Sequence, residues 1–180
     1  IAISYAMLGK KVLLIDADMR KPTQRRLWRV EKPTGLCDFL AKISKLELDK
    51  VKDLPLWIVC TGTIPPNPSE LLSSERMKHF VEESAKVYDY IIIDTPPINT
   101  VADAQIVSTY VDGVVLVVKS GDTTEDELNE AIDAVRRAGG NLCGTVLNDL
   151  NMKSVKYAYK YKYGGKYGYK YSYSESYEAR

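Results

Sequence analysis

The sequence predicts a doubly wound α/β domain with a mostly parallel sheet, followed by a flexible tyrosine-rich C-terminal tail. Three observations predict it. Apolar runs recur as VLLID (12–16), LWIVCTG (56–62), YIIIDTPP (90–97), GVVLVVKSG (113–121) and CGTVLND (143–149). None alternates with polar residues, the pattern of parallel strands covered on both faces. Segments with helical period separate them. After Asn151 the composition changes: residues 157–177 hold nine of the thirteen tyrosines, interleaved with lysine, glycine and serine, and no aliphatic residue larger than alanine. Such a stretch builds no core. The organisation is therefore a domain over residues 1–152 and a tail over 153–180.

Taken in order, residues 1–9 (IAISYAMLG) read as the end of a buried helix stopped at Gly9. The first apolar run closes on Asp16. Asn67-Pro68-Ser69-Glu70 offers an N-cap, a proline at the first helical position and an early glutamate, ahead of a helix carrying Met77, Phe80, Val81 and Ala85 on one face. A second apolar run ends in Asp94. Thr124 with Glu127 makes a capping box before Leu128, Ile132 and Val135, and Gly139-Gly140 ends that helix.

Composition narrows the function classes. With 180 residues, 45% hydrophobic and 27% charged, the chain is neither collagen-like nor wholly disordered. Its net charge of +1 averages two unlike parts, because residues 151–180 carry seven basic and two acidic residues. The tail is thus +5 and the body −4. Cys37, Cys60 and Cys143 form no CxxC pair and are odd in number, which excludes a disulfide framework and fits a reducing, cytoplasmic setting. Apolar runs such as Val12 to Ile15 and Val114 to Val118 fall far short of the roughly 20 residues of a membrane helix.

Two strands ending in aspartate, Asp16 and Asp94, converge at one edge of a parallel sheet. Asp18 follows two residues after the first. Carboxylates grouped there suit a hydrated Mg²⁺ carrying nucleotide phosphates; the alternative is that each aspartate only caps the next turn.

These motifs carry a resemblance. VLLIDADMRKP (12–22) and IIIDTPP (91–97) resemble the second Walker-type motif and the Walker B motif of the bacterial tyrosine kinases, deviant P-loop ATPases that control capsule and exopolysaccharide synthesis. The tyrosine cluster is that family's third hallmark. NPSELLSS (67–74) and CGTVLN (143–148) are similar to its Gram-positive, separately encoded form, so the resemblance spans essentially the whole chain. It implies a sheet of the deviant P-loop ATPase type and a protein-tyrosine autokinase using ATP and Mg²⁺. Asp16 and Asp18 would hold the Mg²⁺ environment and orient or deprotonate the incoming tyrosine, with either one as the base, and Asp94 would act on the metal through water. Asn148, after the last core strand, would read the adenine edge; by spacing alone it equally well forms a turn with Asp149. The phosphorylated residues would be Tyr157, Tyr159, Tyr161, Tyr163, Tyr167, Tyr169, Tyr171, Tyr173 and Tyr177. Implied partners are a membrane adaptor or chain-length regulator that recruits the kinase to the inner face of the membrane, a homo-oligomeric ring and a tyrosine phosphatase.

Other readings remain beside this one. The alternating tyrosines on either side of Gly164-Gly165 fit a β-hairpin. Rings interleaved with lysines also suit single-stranded nucleic acid, but the acidic body argues against a nucleic-acid partner. A partition- or division-type ATPase that binds DNA or membrane shares the aspartate-ended strands, and a catalytically dead truncated protein would be a phosphorylation target only. Arg25, Arg26 and Arg29 form either a solvated helix face or a surface for phosphate or an acidic partner. His79 reads as solvated, Trp28 and Trp57 as packing groups.

One departure from the family pattern matters. The phosphate-cradling loop GxxxxGK[ST] is absent, since Gly9-Lys10 is followed by Lys11 and lacks the earlier glycine. The expectation is that the chain begins just downstream of its own P-loop, and that the strand missing from the middle of the family's sheet leaves its neighbours exposed. Without the loop's amides and lysine nothing cradles the β- and γ-phosphates. The 180-residue chain alone is expected to show no Mg²⁺-dependent ATP turnover; measurable turnover by the purified chain refutes that.

Overall fold

The computed structural model describes residues 1–150. The elements are α1 (Ala2–Met7), β1 (Val12–Asp16), α2 (Gln24–Trp28), α3 (Leu36–Leu40), β2 (Asp49–Lys50), β3 (Leu56–Val59), α4 (Pro68–Ser73), α5 (Glu75–Ala85), β4 (Tyr90–Asp94), α6 (Asp103–Ser108), β5 (Val114–Lys119), α7 (Glu125–Arg137) and β6 (Leu142–Asn148). All five apolar runs form strands. β1, β3 and β4 pair in parallel, and β2 adds a two-residue antiparallel edge that the sequence pattern did not signal, giving the order β2-β3-β1-β4.

The central strand shows why its sequence is apolar throughout. Every residue of β1 is buried, and successive side chains enter opposite layers. Leu13 and Ile15 join Val59, Leu36 and Leu40 of α3, Leu72 of α4, Met77 of α5 and Val107 of α6. Val12 and Leu14 join Leu56 and Ile58 under Ala2 and Ala6 of α1. A strand covered on both faces has no solvent side for polar alternation.

The sheet is divided. β5 and β6 pair in parallel as a separate two-stranded sheet, covered by α7 through Leu116, Ala131 and Val135. β4 is only partly buried, and Val115, Val117, Val146 and Leu147 are exposed.

Four local expectations change. Helix α1 buries only Ala2 and Ala6, while Ile1, Ile3, Met7 and Leu8 are exposed, so it is half covered rather than buried. The helix expected after Asn67 breaks at Ser74, which takes an extended conformation and caps α5 by accepting the Met77 N–H at 3.2 Å. Serine serves better as a cap than inside a helix. Asn67 makes no backbone cap and donates to Glu70 instead, at 2.5 Å. Met77 is buried and Phe80 and Val81 pack beneath it as expected, but Ala85 is exposed and Ser84 buried. The Thr124–Glu127 capping box forms with both reciprocal bonds.

Close backbone approach fixes the loop after β3. Gly62 has a positive φ of +80°, and a Cβ there would run into the Asp38 carboxylate and the Gly35 backbone. Gly139 has the same φ but open space around it. Gly62→Ala is therefore expected to lose at least about 2 kcal/mol in denaturant unfolding, against about 1 kcal/mol for Gly139→Ala; equal losses would contradict the close approach.

Candidate functional site

Parallel pairing places the two strand-ending aspartates side by side. β1 and β4 run in register from Val12 and Tyr90 to Asp16 and Asp94, and the Ala17 N–H extends the pairing by donating to the Asp94 carbonyl at 2.8 Å. Asp16 is fully buried. Its carboxylate accepts the Asp18 N–H at 3.2 Å and the Gln24 N–H at 3.1 Å, and its main-chain carbonyl accepts the Thr61 hydroxyl at 3.0 Å. Burial pushes its pKa up to about 6, with repulsion from Asp94 and Asp18 adding to the rise and the two amide donors opposing it.

Gln24 links the pair and was not anticipated from the sequence. Its side-chain amide donates to Asp94 at 2.6 Å while its carbonyl accepts the Trp28 indole N–H at 3.0 Å. An indole nitrogen only donates, so Trp28 fixes which end of the amide faces Asp94. Trp28 packs, as expected, but also orients the group that holds Asp94. The signal for this was faint: a glutamine opening a short helix a few residues after the aspartate turn.

Asp18 sits apart from the pair. It is half-buried, and one of its oxygens accepts the Arg20 and Lys21 N–H groups at 3.1 and 2.9 Å. Among the described residues no group of three His, Cys, Asp or Glu side chains comes together as a metal cage. The arrangement is two carboxylates with a third on the adjoining turn. That suits Mg²⁺, which keeps its waters and takes one or two carboxylates plus phosphate oxygens; a divalent cation would also relieve the repulsion at Asp16.

A second cluster joins two motifs that are distant in sequence. Arg20 grips the fully buried Asp103 with Nε and Nη2 at 2.8 and 3.1 Å, and Ser69 of the NPSE segment donates to the same carboxylate at 2.6 Å. Burial works against the charged form of Asp103, but these partners hold it below the usual carboxylate range. Arg20 and residues 66–70 line a shallow cavity of about 260 Å³ beside it. Sequence reading missed Asp103, whose sign was an acid within the apolar VADAQIV.

Asn148 ends β6 in the other sheet, exposed and paired through its backbone with Lys119, so it lies in a different sheet from the aspartates. Asp149 after it takes a left-handed conformation. The nine tyrosines of 157–177 lie outside the described residues. Of the remaining side chains, His79 is exposed, Trp57 packs edge-on against Tyr88, and the three cysteines are free.

The raised pKa of Asp16 carries a stability consequence. The folded chain holds this proton up to about pH 6, whereas the unfolded chain loses it near pH 3.8. Stability from this group therefore falls as pH rises between those values, and the full penalty, on the order of 3 kcal/mol, applies above pH 6. Asp94→Asn removes one repelling charge, while the new carbonyl still accepts the Gln24 amide. It should raise unfolding stability at pH 7.5 by about 1 kcal/mol, with the gain gone at pH 3.5; an equal effect at both pH values, or a loss at pH 7.5, contradicts the repulsion.

Comparison with known proteins assigns the family. A family model described as an AAA domain matches residues 1–141. Tyrosine-protein kinase YwqD of Bacillus subtilis (strain 168) is 42% identical over 162 residues, spanning 88% of this chain and 68% of the relative. The kinase domain of the Escherichia coli tyrosine kinase Etk superposes with a TM-score of 0.81 at 33% identity, covering 93% of this chain and 64% of that one. The septum site-determining protein MinD from Pyrococcus horikoshii shares the fold at a TM-score of 0.66 and 19% identity. With its in-register aspartates on a parallel AAA-type sheet, the chain belongs to the family of bacterial tyrosine-protein kinases.

Proposed function

We propose that this chain acts as an ATP-dependent protein-tyrosine autokinase whose substrate is its own cluster Tyr157–Tyr177. The observation that carries the reading is the register-matched pair of the buried Asp16 and the half-buried Asp94, which repel one another and suit a divalent cation. In this reading Asp16 and Asp94 would hold hydrated Mg²⁺, which would supply positive charge to neutralise a nucleotide's phosphates. Asp16 has both oxygens engaged by main-chain amides. Asp18 is more exposed, with one oxygen that accepts no hydrogen bond among the described residues. Asp18 is therefore the residue we assign to orient the incoming phenol and receive its proton, since geometry selects the base before pKa does. A phenol titrates near pH 10, so positioning contributes more than basicity. Asn148 is assigned to the adenine edge.

The family resemblance extends the proposal to regulation of capsular or exopolysaccharide export. A membrane adaptor or chain-length regulator would recruit the chain from the cytoplasm; among the described residues no helix is long and apolar enough to cross a membrane. Subunits would assemble into a ring, with the +5 tail entering a neighbour's acidic site, and a tyrosine phosphatase would reset it. Phosphorylation adds roughly −1.5 per tyrosine and reverses the tail's sign, to about −9, which expels it and dissolves the ring.

Intact mass of the protein from its source cells, with and without phosphatase, tests the kinase reading. The expected result is a ladder of phosphate-sized steps mapping to residues 157–177, collapsed by phosphatase and lost in Asp16→Asn and Asp94→Asn proteins. An unphosphorylated species, or a ladder unchanged in both variants, would refute self-modification through this site.

A further inference from the structure

Helix α2 and the residues flanking it carry more positive charge than the acidic site uses. Between Asp18 and Glu31 the chain has five cationic residues and no acid. Two are committed: Arg20 grips Asp103, and Arg25 donates to the Val30 and Glu31 carbonyls at 3.3 and 3.1 Å. Lys21, Arg26 and Arg29 are exposed, and among the described residues none of them pairs with a carboxylate. No residue of α2 is buried, and Leu27 stands 64% exposed between the arginines.

A solvated helix face normally mixes signs, because like charges three or four positions apart repel. Here Arg26 and Arg29 are three apart, Arg25 and Arg29 four, with no acid to relieve them. One arginine would complement the helix C-terminus; the remainder forms a cationic face that an anion would relieve. Its location is specific, since Gln24 ties the first turn of α2 to both Asp16 and Asp94. Gln24 and Trp28 thereby hold one side of α2 on the aspartate edge, and Arg26 and Arg29 stand on its outward side.

We propose that this face of α2 binds the phosphorylated form of residues 157–177 once it has left the acidic site. The proposal rests on the autokinase reading above. Charge complementarity selects this occupant: the unmodified tail, at +5, is repelled by Lys21, Arg26 and Arg29, whereas the tail phosphorylated on all nine tyrosines, at about −9, is attracted. Guanidinium groups match phosphate in paired hydrogen bonds, and a phosphotyrosine ring finds an apolar contact in Leu27. The sign change that drives the tail from an acidic surface thus directs it to this basic one.

The test uses the 180-residue chain and a labelled synthetic peptide of residues 166–180 phosphorylated on Tyr169, Tyr171 and Tyr173, with anisotropy as the readout. Binding should need the phosphates, with the unmodified peptide showing none. It should weaken about tenfold in Arg26→Glu/Arg29→Glu, and less in Arg26→Gln/Arg29→Gln, which removes charge without reversing it and guards against misfolding. Arg136→Glu/Arg137→Glu, the same charge change on α7, should leave it unaltered. Unchanged affinity in both α2 variants would overturn the proposal, as would an equal loss in the α7 variant. Displacement of the peptide by single-stranded DNA at equal phosphate concentration would also overturn it, making the face a nucleic-acid surface. Because synthesis places the phosphates, this result is independent of whether the chain modifies itself; missing phosphotyrosine in cells would defeat the autokinase reading without changing the binding curve.

Discussion

The register between β1 and β4 is the constraint from which the rest follows. Parallel strands whose last residues are both aspartate must bring two carboxylates to adjacent positions on one sheet edge. Nothing apolar can satisfy them there. The chain responds with main-chain N–H groups aimed at Asp16, a glutamine amide aimed at Asp94 and a threonine hydroxyl on the Asp16 carbonyl. These donors only partly offset burial and mutual repulsion, and the remainder is the raised pKa of Asp16. A site that holds charge at a cost to stability is what binding a cation and phosphates requires.

The turn after β1 is organised to keep that edge in place. Asp18 closes the turn on the N–H groups of Arg20 and Lys21, and Arg20 reaches Asp103, to which Ser69 also donates. The aspartate turn, the NPSE segment and the start of α6 are thereby fastened through one buried carboxylate. Removing Arg20 would leave Asp103 charged and buried without its ion-pair partner. Helix α2 does the reverse: it is pinned at Gln24 and Trp28 and solvated elsewhere, so its cations are presented to whatever approaches the site.

Most of the fold was legible because its signals are strong and local. Continuous apolar runs gave all the main strands, and the Thr124–Glu127 box marked the start of α7. The misses have identifiable physical causes. β2 is two residues long and has no period to read. The break at Ser74 turned on a serine whose capping bond outcompetes helix continuation. At the site, Asp16, Asp18 and Asp94 were legible as strand ends and their continuation, whereas Gln24 and Asp103 were not, because hydrogen bonds spanning 70 and 83 positions leave no trace in spacing.

The most direct test of the central claim is a carboxyl-carbon NMR titration of Asp16 in the purified chain, with and without Mg²⁺. The account predicts a midpoint near 6 in the absence of the cation, moving lower when Mg²⁺ is added. An ordinary midpoint near 4, or one near 6 that Mg²⁺ leaves unmoved, would contradict the claim that paired strand ends build a repelling, cation-seeking site.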